Sequence, residues 1–159
     1  MEQFMVQDCK VLIFKVGLEE YGVHINQVVS IERMQEINTY PNRPAHVLGV
    51  TTVRDVIIPV VDMRSALTDQ SHISTDTARI IIVKVSGDQE IGVVVDAATD
   101  VTDLAPETIQ QPSLMGETDI SYLKGVSKLD DRLIILLDME TLLENTTNLD
   151  ELKEIIKAL

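Results

Sequence analysis

The sequence predicts an all-β fold: two small five-stranded barrels that share an interface, followed by a C-terminal helix. Three observations predict it. The 159 residues are 45% hydrophobic but only 3% aromatic and contain no tryptophan. The apolar content is therefore Val, Ile and Leu, and its β-branched members favour pleated, half-buried surfaces. These residues come in short runs separated by turn residues. The runs also recur, in order, in the second half of the chain.

The elements follow from those runs. Lys10–Val16 and Tyr21–Ile25 flank a hairpin loop at Gly17–Glu20, and Val47–Val53 and Val56–Val61 join at Arg54-Asp55. Pro59 lies inside the second of these runs, so an edge or a bulge is expected there. Arg79–Val85 and Ile91–Val95 surround Ser86–Gln89, and Leu123–Leu129 and Leu133–Leu137 turn at Asp130-Asp131. Asp138 is placed to cap a helix starting at Met139. From about 149 to 159, Leu152, Ile155, Ile156 and Leu159 share one face of a further helix. The polar stretch Thr68–Thr77 is the natural boundary between subdomains of about 10–67 and 78–145, within one domain spanning 1–159.

The duplication is visible residue by residue. Phe14-Lys15-Val16 recurs as Val83-Lys84-Val85 at an offset of 69, and Tyr21-Gly22-Val23 as Ile91-Gly92-Val93 at 70. Gly49-Val50-Thr51 recurs as Gly125-Val126-Ser127, and Asp62-Met63 as Asp138-Met139, both at 76. A repeat of this length is too long for a solenoid and implies two similar subdomains. Closing each small sheet into a barrel reduces its exposed edges.

Charge and composition exclude several functions. The net charge of −13 opposes binding to nucleic acid or anionic lipid, because both attract Lys and Arg. The single cysteine, Cys9, allows no intrachain disulfide and no cysteine cage for a metal. His24, His46 and His72 are scattered without ligand spacing, so no metal is expected. The acidic N-terminus does not resemble a secretion signal and no apolar run is long enough to span a bilayer, which points to the cytoplasm. Asp62 and Asp138 are the one pair that suggests acid–base chemistry, but their matched positions before helix-like runs favour capping. Asn26 and Asp96 are read the same way. Neither a phosphate loop nor a nucleophile elbow is present, so no catalytic residue and no cofactor is expected.

The run Pro41-x-x-Pro44-x-x-x-x-Gly49-Val50-x-x-Val53-Arg54, followed by Ile58-Pro-Val-Val-Asp62-Met63-Arg64, resembles the central signature of CheW-type chemotaxis coupling proteins. Arg79-Ile-Ile-Ile-Val83, Ile91-Gly-Val-Val-Val-Asp96 and Gly125-Val-x-Lys-Leu-x-x-Arg132 through Asp138 are similar to its second half. The resemblance implies paired SH3-like barrels and a non-enzymatic adaptor that joins chemoreceptor cytoplasmic tips to the regulatory domain of the histidine kinase CheA. It implies a receptor hairpin in the groove between barrels and the kinase end-to-end against one barrel, with other CheW-like domains as possible ring partners. Arg54, with Thr52, Val53 and Asp55 beside it, is expected to face the receptor, and Leu18, Val28 and Ile31 the kinase. The chain departs from the family's Asn-Leu-Arg-Gly at Thr52-Val53-Arg54-Asp55, keeping only the arginine. Alternatives are a scaffold in a non-flagellar chemosensory pathway, the adaptor half of a CheV-like protein, and an enzyme using Asp62 or Asp138.

Overall fold

The computed structural model describes residues 10–43, 46–68, 75–110, 122–147 and residue 154. Its strands are β1 (Lys10–Val16), β2 (Glu19–His24), β3 (Val28–Arg33), β4 (Val47–Val53), β5 (Val56–Asp62), β6 (Arg79–Val85), β7 (Gln89–Val95), β8 (Ala97–Asp103), β9 (Ile109–Gln110), β10 (Leu123–Leu129) and β11 (Arg132–Leu137). Helix α1 (Met63–Thr68) follows β5 and α2 (Met139–Thr146) follows β11. All four expected hairpins are present, and β3, β8 and β9 are additional. The expected helix over about 149–159 lies outside the described residues except for Glu154, which is helical.

The strands form two sheets, in the orders β8-β1-β2-β11-β10-β9 and β3-β6-β7-β5-β4. Neither sheet is one half of the sequence, which corrects the division at 10–67 and 78–145. The first hairpin of each repeat has exchanged places. β2 runs parallel to β11, with Gly22 across from Leu136, and β7 runs parallel to β5, with Gly92 across from Val60. The exchanged hairpins match each other in the sequence, Phe14-Lys15-Val16 with Val83-Lys84-Val85 and Tyr21-Gly22-Val23 with Ile91-Gly92-Val93.

Each sheet then closes. Past β3 the chain returns to β4 at Asn38, whose N–H and C=O bond Val50 at 2.8 and 2.9 Å, and Thr51 Oγ1 donates to the Glu36 carbonyl at 2.8 Å. In the other sheet the same seam is made by β9, where Gln110 faces Val126 and Ile109 faces Ser127. The matched glycines Gly49 and Gly125 sit at these seams. A Cβ on Gly49 would lie 2.2 Å from the Asn38 carbonyl oxygen, and one on Gly125 2.8 Å from that of Gln110. These are the two SH3-like barrels. The sixth strand of one corresponds to the single bridge at Asn38 in the other.

Because each barrel has its own interior and a face toward the other, its strands are buried on both sides and read as continuous apolar runs. Val11 and Ile13 face the six-stranded interior with Leu104, Ile134 and Leu136, and Ile80 and Ile82 face the five-stranded interior with Ile58 and Val60. The alternate residues Leu12, Phe14, Val16, Ile81, Val83 and Val85 meet in the shared core, which Met63, Met139, Leu142 and Leu143 complete. Pro59 fits β5 because pairing with β7 begins only at Val60, leaving one edge of the strand free where the N–H is missing.

The matched aspartates are structural. Asp138 caps α2, its carboxylate accepting from the Thr141 N–H at 3.5 Å and the Thr141 hydroxyl at 2.8 Å. Buried Asp62 accepts from the Arg64 N–H at 3.1 Å. Asp96 instead accepts from the Gly17 N–H at 2.7 Å and so holds the β1–β2 turn. Asn26 lies inside a 3₁₀ turn capped by His24, so it is not the cap. These are corrections to the capping expected for both.

Candidate docking surfaces

The β4–β5 turn places Arg54 at φ +50° and Asp55 at φ +67°, between paired Val53 and Val56. Positive φ at both central residues is the type I′ hairpin turn, which matches strand twist and usually takes glycine or asparagine. Arg54 is held there by its side chain. Its guanidinium donates to Glu32 Oε2 at 2.7 Å and to Ser30 Oγ at 2.9 Å, both on β3. Hydrogen bonding from Ser30, then from Arg54 with its charge, outweighs partial desolvation and holds the Glu32 carboxyl below its ordinary value. The turn is thus tied to β3 through Ser30 and Glu32.

Alternation sorts the other expected residues. Thr52 and Asp55 are exposed, but Val53 is 4% exposed and packs inside the five-stranded barrel with Ile58 and Ile82, so it is corrected from contact to core. On β3, Ser30 and Glu32 pair with Ile82 and Ile80, which face the barrel interior, whereas Val28 and Ile31 pair with Val83 and Ile81 of the shared core. Val28 is accordingly half-buried, while Ile31 is exposed at the rim of the inter-barrel face. Leu18 is fully exposed in the β1–β2 turn of the six-stranded barrel, whereas the Arg54 turn belongs to the five-stranded one.

Sequence reasoning missed Val29, Val56, Ile57, Val101 and Leu133, all exposed. The repeat could have found some of them. Val101 is the counterpart of Ile31, and each sits across from a shared-core residue, Leu12 or Ile81. Leu133 is likewise the counterpart of Ile57. The six-stranded barrel carries its own ion pair, with Arg132 donating to both Glu20 oxygens at 3.0 and 2.8 Å and lying 3.8 Å from Asp100.

Among the described residues no group of three or more His, Cys, Asp or Glu could hold a metal ion, and no helix is long and apolar enough to cross a membrane. Two closed barrels carry exposed apolar rims, and the matched carboxylates Asp62 and Asp138 serve as caps. The family model for the CheW-like domain matches residues 10–147. The chain is 36% identical to the chemotaxis protein CheW of Klebsiella aerogenes over 84% of this chain and 81% of that one. It is 32% identical to CheW of Bacillus subtilis, over 87% and 89%. The crystal structure of the scaffolding protein TtCheW from Thermoanaerobacter tengcongensis superposes with a TM-score of 0.77 at 29% identity, covering 86% of this chain and 93% of that one. The chain belongs to the CheW-like family and is a chemotaxis adaptor, not an enzyme.

Proposed function

We propose that the chain couples the cytoplasmic tips of chemoreceptors to the regulatory domain of the histidine kinase CheA, working in the cytoplasm at receptor arrays. The observation that carries this reading is the union of the Arg54 turn with β3. A hairpin of helices lying between barrels would meet Ile31 and the half-buried Val28 on the inter-barrel side of β3, with Arg54, Thr52 and Asp55 at the turn tied to the other side of that strand. The pairing of Ile31 with Ile81 supports grouping Val28 and Ile31 with the receptor side rather than the kinase side. Leu18 remains the kinase-facing residue, with the exposed Leu133 of adjacent β11 beside it. The equivalence of Ile57 and Leu133 supports barrel-to-barrel contacts with other CheW-like domains, which are heterologous and can close into rings.

Sedimentation with a receptor cytoplasmic fragment and with the CheA regulatory domain tests the assignment. Arg54→Gln removes the charge without setting a second carboxylate against Glu32, and is expected to weaken receptor binding only. Leu18→Glu is expected to weaken kinase binding only. Unchanged binding of both partners by both variants would overturn the reading.

A further inference from the structure

The duplication supplies an internal comparison at the ends of the two edge strands. In the six-stranded barrel, Lys10 of β1 faces Asp103 of β8 directly across the ladder. The same position in the five-stranded barrel, at the offsets of 69 and 70, is occupied by Arg79 of β6 facing Arg33 of β3. Opposite charges in such a pair stabilise a sheet and like charges destabilise it. One copy therefore pairs opposite charges across the ladder, although Lys10 and Asp103 stand beyond ion-pair distance, and the other places two like charges at the matched position.

Among the described residues no acid offsets the like charge. Among the described residues neither guanidinium meets a carboxylate within ion-pair distance, although the chain has 26 acidic residues against 13 basic ones. Arg79 is held in place by neutral acceptors, its Nη1 donating to the carbonyls of Asp76 at 3.1 Å and Ala78 at 2.8 Å. The exposed Arg33 side chain makes no hydrogen bond to the described residues. The two arginines line a cleft of about 290 Å³ with Met34, Thr75, Ala78 and one acid, Asp76. Ile31, the exposed apolar residue of the inter-barrel rim, lies two positions from Arg33 on the same side of β3.

We propose that Arg33 and Arg79 form a carboxylate-binding site that takes an acidic side chain from the helical partner docked on this rim. The site distinguishes the β3 edge from the otherwise equivalent β8 edge, where the matched position carries one charge of each sign, Lys10 and Asp103. Two strand residues span about 6.6 Å and one helical turn about 5.4 Å. The recognised segment is therefore a helix with an apolar residue on Ile31 and an Asp or Glu one turn away. This inference rests on the receptor reading above for the identity of the partner.

The test uses the full chain and a receptor cytoplasmic fragment. Arg33→Asp rebuilds the Lys10–Asp103 arrangement, so the variant is expected to melt at the same temperature or higher while its affinity falls about tenfold at low salt. Arg33→Lys is expected to retain most of the affinity, and high salt to erase the difference between variants. Equal affinity of Arg33→Asp and the wild type overturns the inference and leaves the receptor reading intact. A wild type that does not bind the fragment overturns the receptor reading. In that case a glutarate titration followed through the arginine side-chain NMR signals decides the site alone. Shifts at Arg33 and Arg79 that inorganic phosphate does not reproduce support it, and their absence overturns it.

Discussion

Replacing Gly49 by alanine should open the five-stranded barrel at its seam. Gly49 has φ +154°, and its added Cβ would lie 2.2 Å from the Asn38 carbonyl oxygen. That oxygen cannot withdraw freely, because it accepts from the Val50 N–H at 2.9 Å while Asn38 donates back at 2.8 Å. Losing those two backbone bonds costs about 1 to 3 kcal/mol. A side chain at this φ adds strain of about 1 to 3 kcal/mol. The expected loss is about 2 to 6 kcal/mol, a large share of the roughly 5 to 15 kcal/mol that holds a domain together. Gly125→Ala meets Ile109 Cγ2 at 2.7 Å and the Gln110 carbonyl at 2.8 Å, but without a positive φ, so its loss should be smaller. Urea unfolding of both variants measures the losses, and amide exchange at Asn38 and Val50 locates the opening. A loss below about 1 kcal/mol for Gly49→Ala, or a larger loss for Gly125→Ala, would refute the close-approach argument.

Asp55→Gly should stabilise the protein by about 0.5 kcal/mol, since relief at φ +67° exceeds the entropy that glycine adds to the unfolded chain; a higher urea midpoint at unchanged slope is the readout. Burial opposes ionisation of Asp138, but bonds from Thr141 and Gln27 outweigh it and hold its carboxyl below the ordinary 3.8. Its folded value is thus depressed, so its contribution is present above pH 3.8 and is lost as pH falls through the lower folded value. Asp138→Asn keeps a capping side chain and should flatten that acid limb of the stability curve; an unchanged limb would count against the assignment.

What was legible in the sequence follows from which interactions are local. The four hairpins could be read because each couples a short apolar run to its neighbour through a turn. β3 and β8 were hidden because they are edge strands whose residues include Ser30, Glu32 and Arg33, or Thr99, Asp100 and Asp103. The exchange was hidden for a different reason: whether β2 joins β5 or β11 depends on partners far apart in sequence that are near-copies of each other. Grouping Val53 with Arg54 treated the turn motif as a block, whereas strand alternation alone separates Val53 from exposed Thr52. The Arg33–Arg79 pair needs the observed register, although the repeat offsets applied to Lys10 and Asp103 would have pointed to it.

The exchange also bears on how an adaptor holds its partners. In a simple tandem of barrels, each would keep its own interior and the pair could swing about a linker. Here, among the described residues, 18 buried apolar side chains form the shared core, against six and five in the separate interiors. Most burial therefore lies between the barrels, where it contributes only while they stay together. The parallel ladders of β2 with β11 and β5 with β7 in turn tie the two halves of the sequence together, since each barrel draws strands from both. The Leu18 turn belongs to one barrel and the Arg54 turn to the other, so their spacing is set by this common core rather than by a hinge. Fixed spacing lets a partner at one end bias the orientation of a partner at the other without either barrel changing fold.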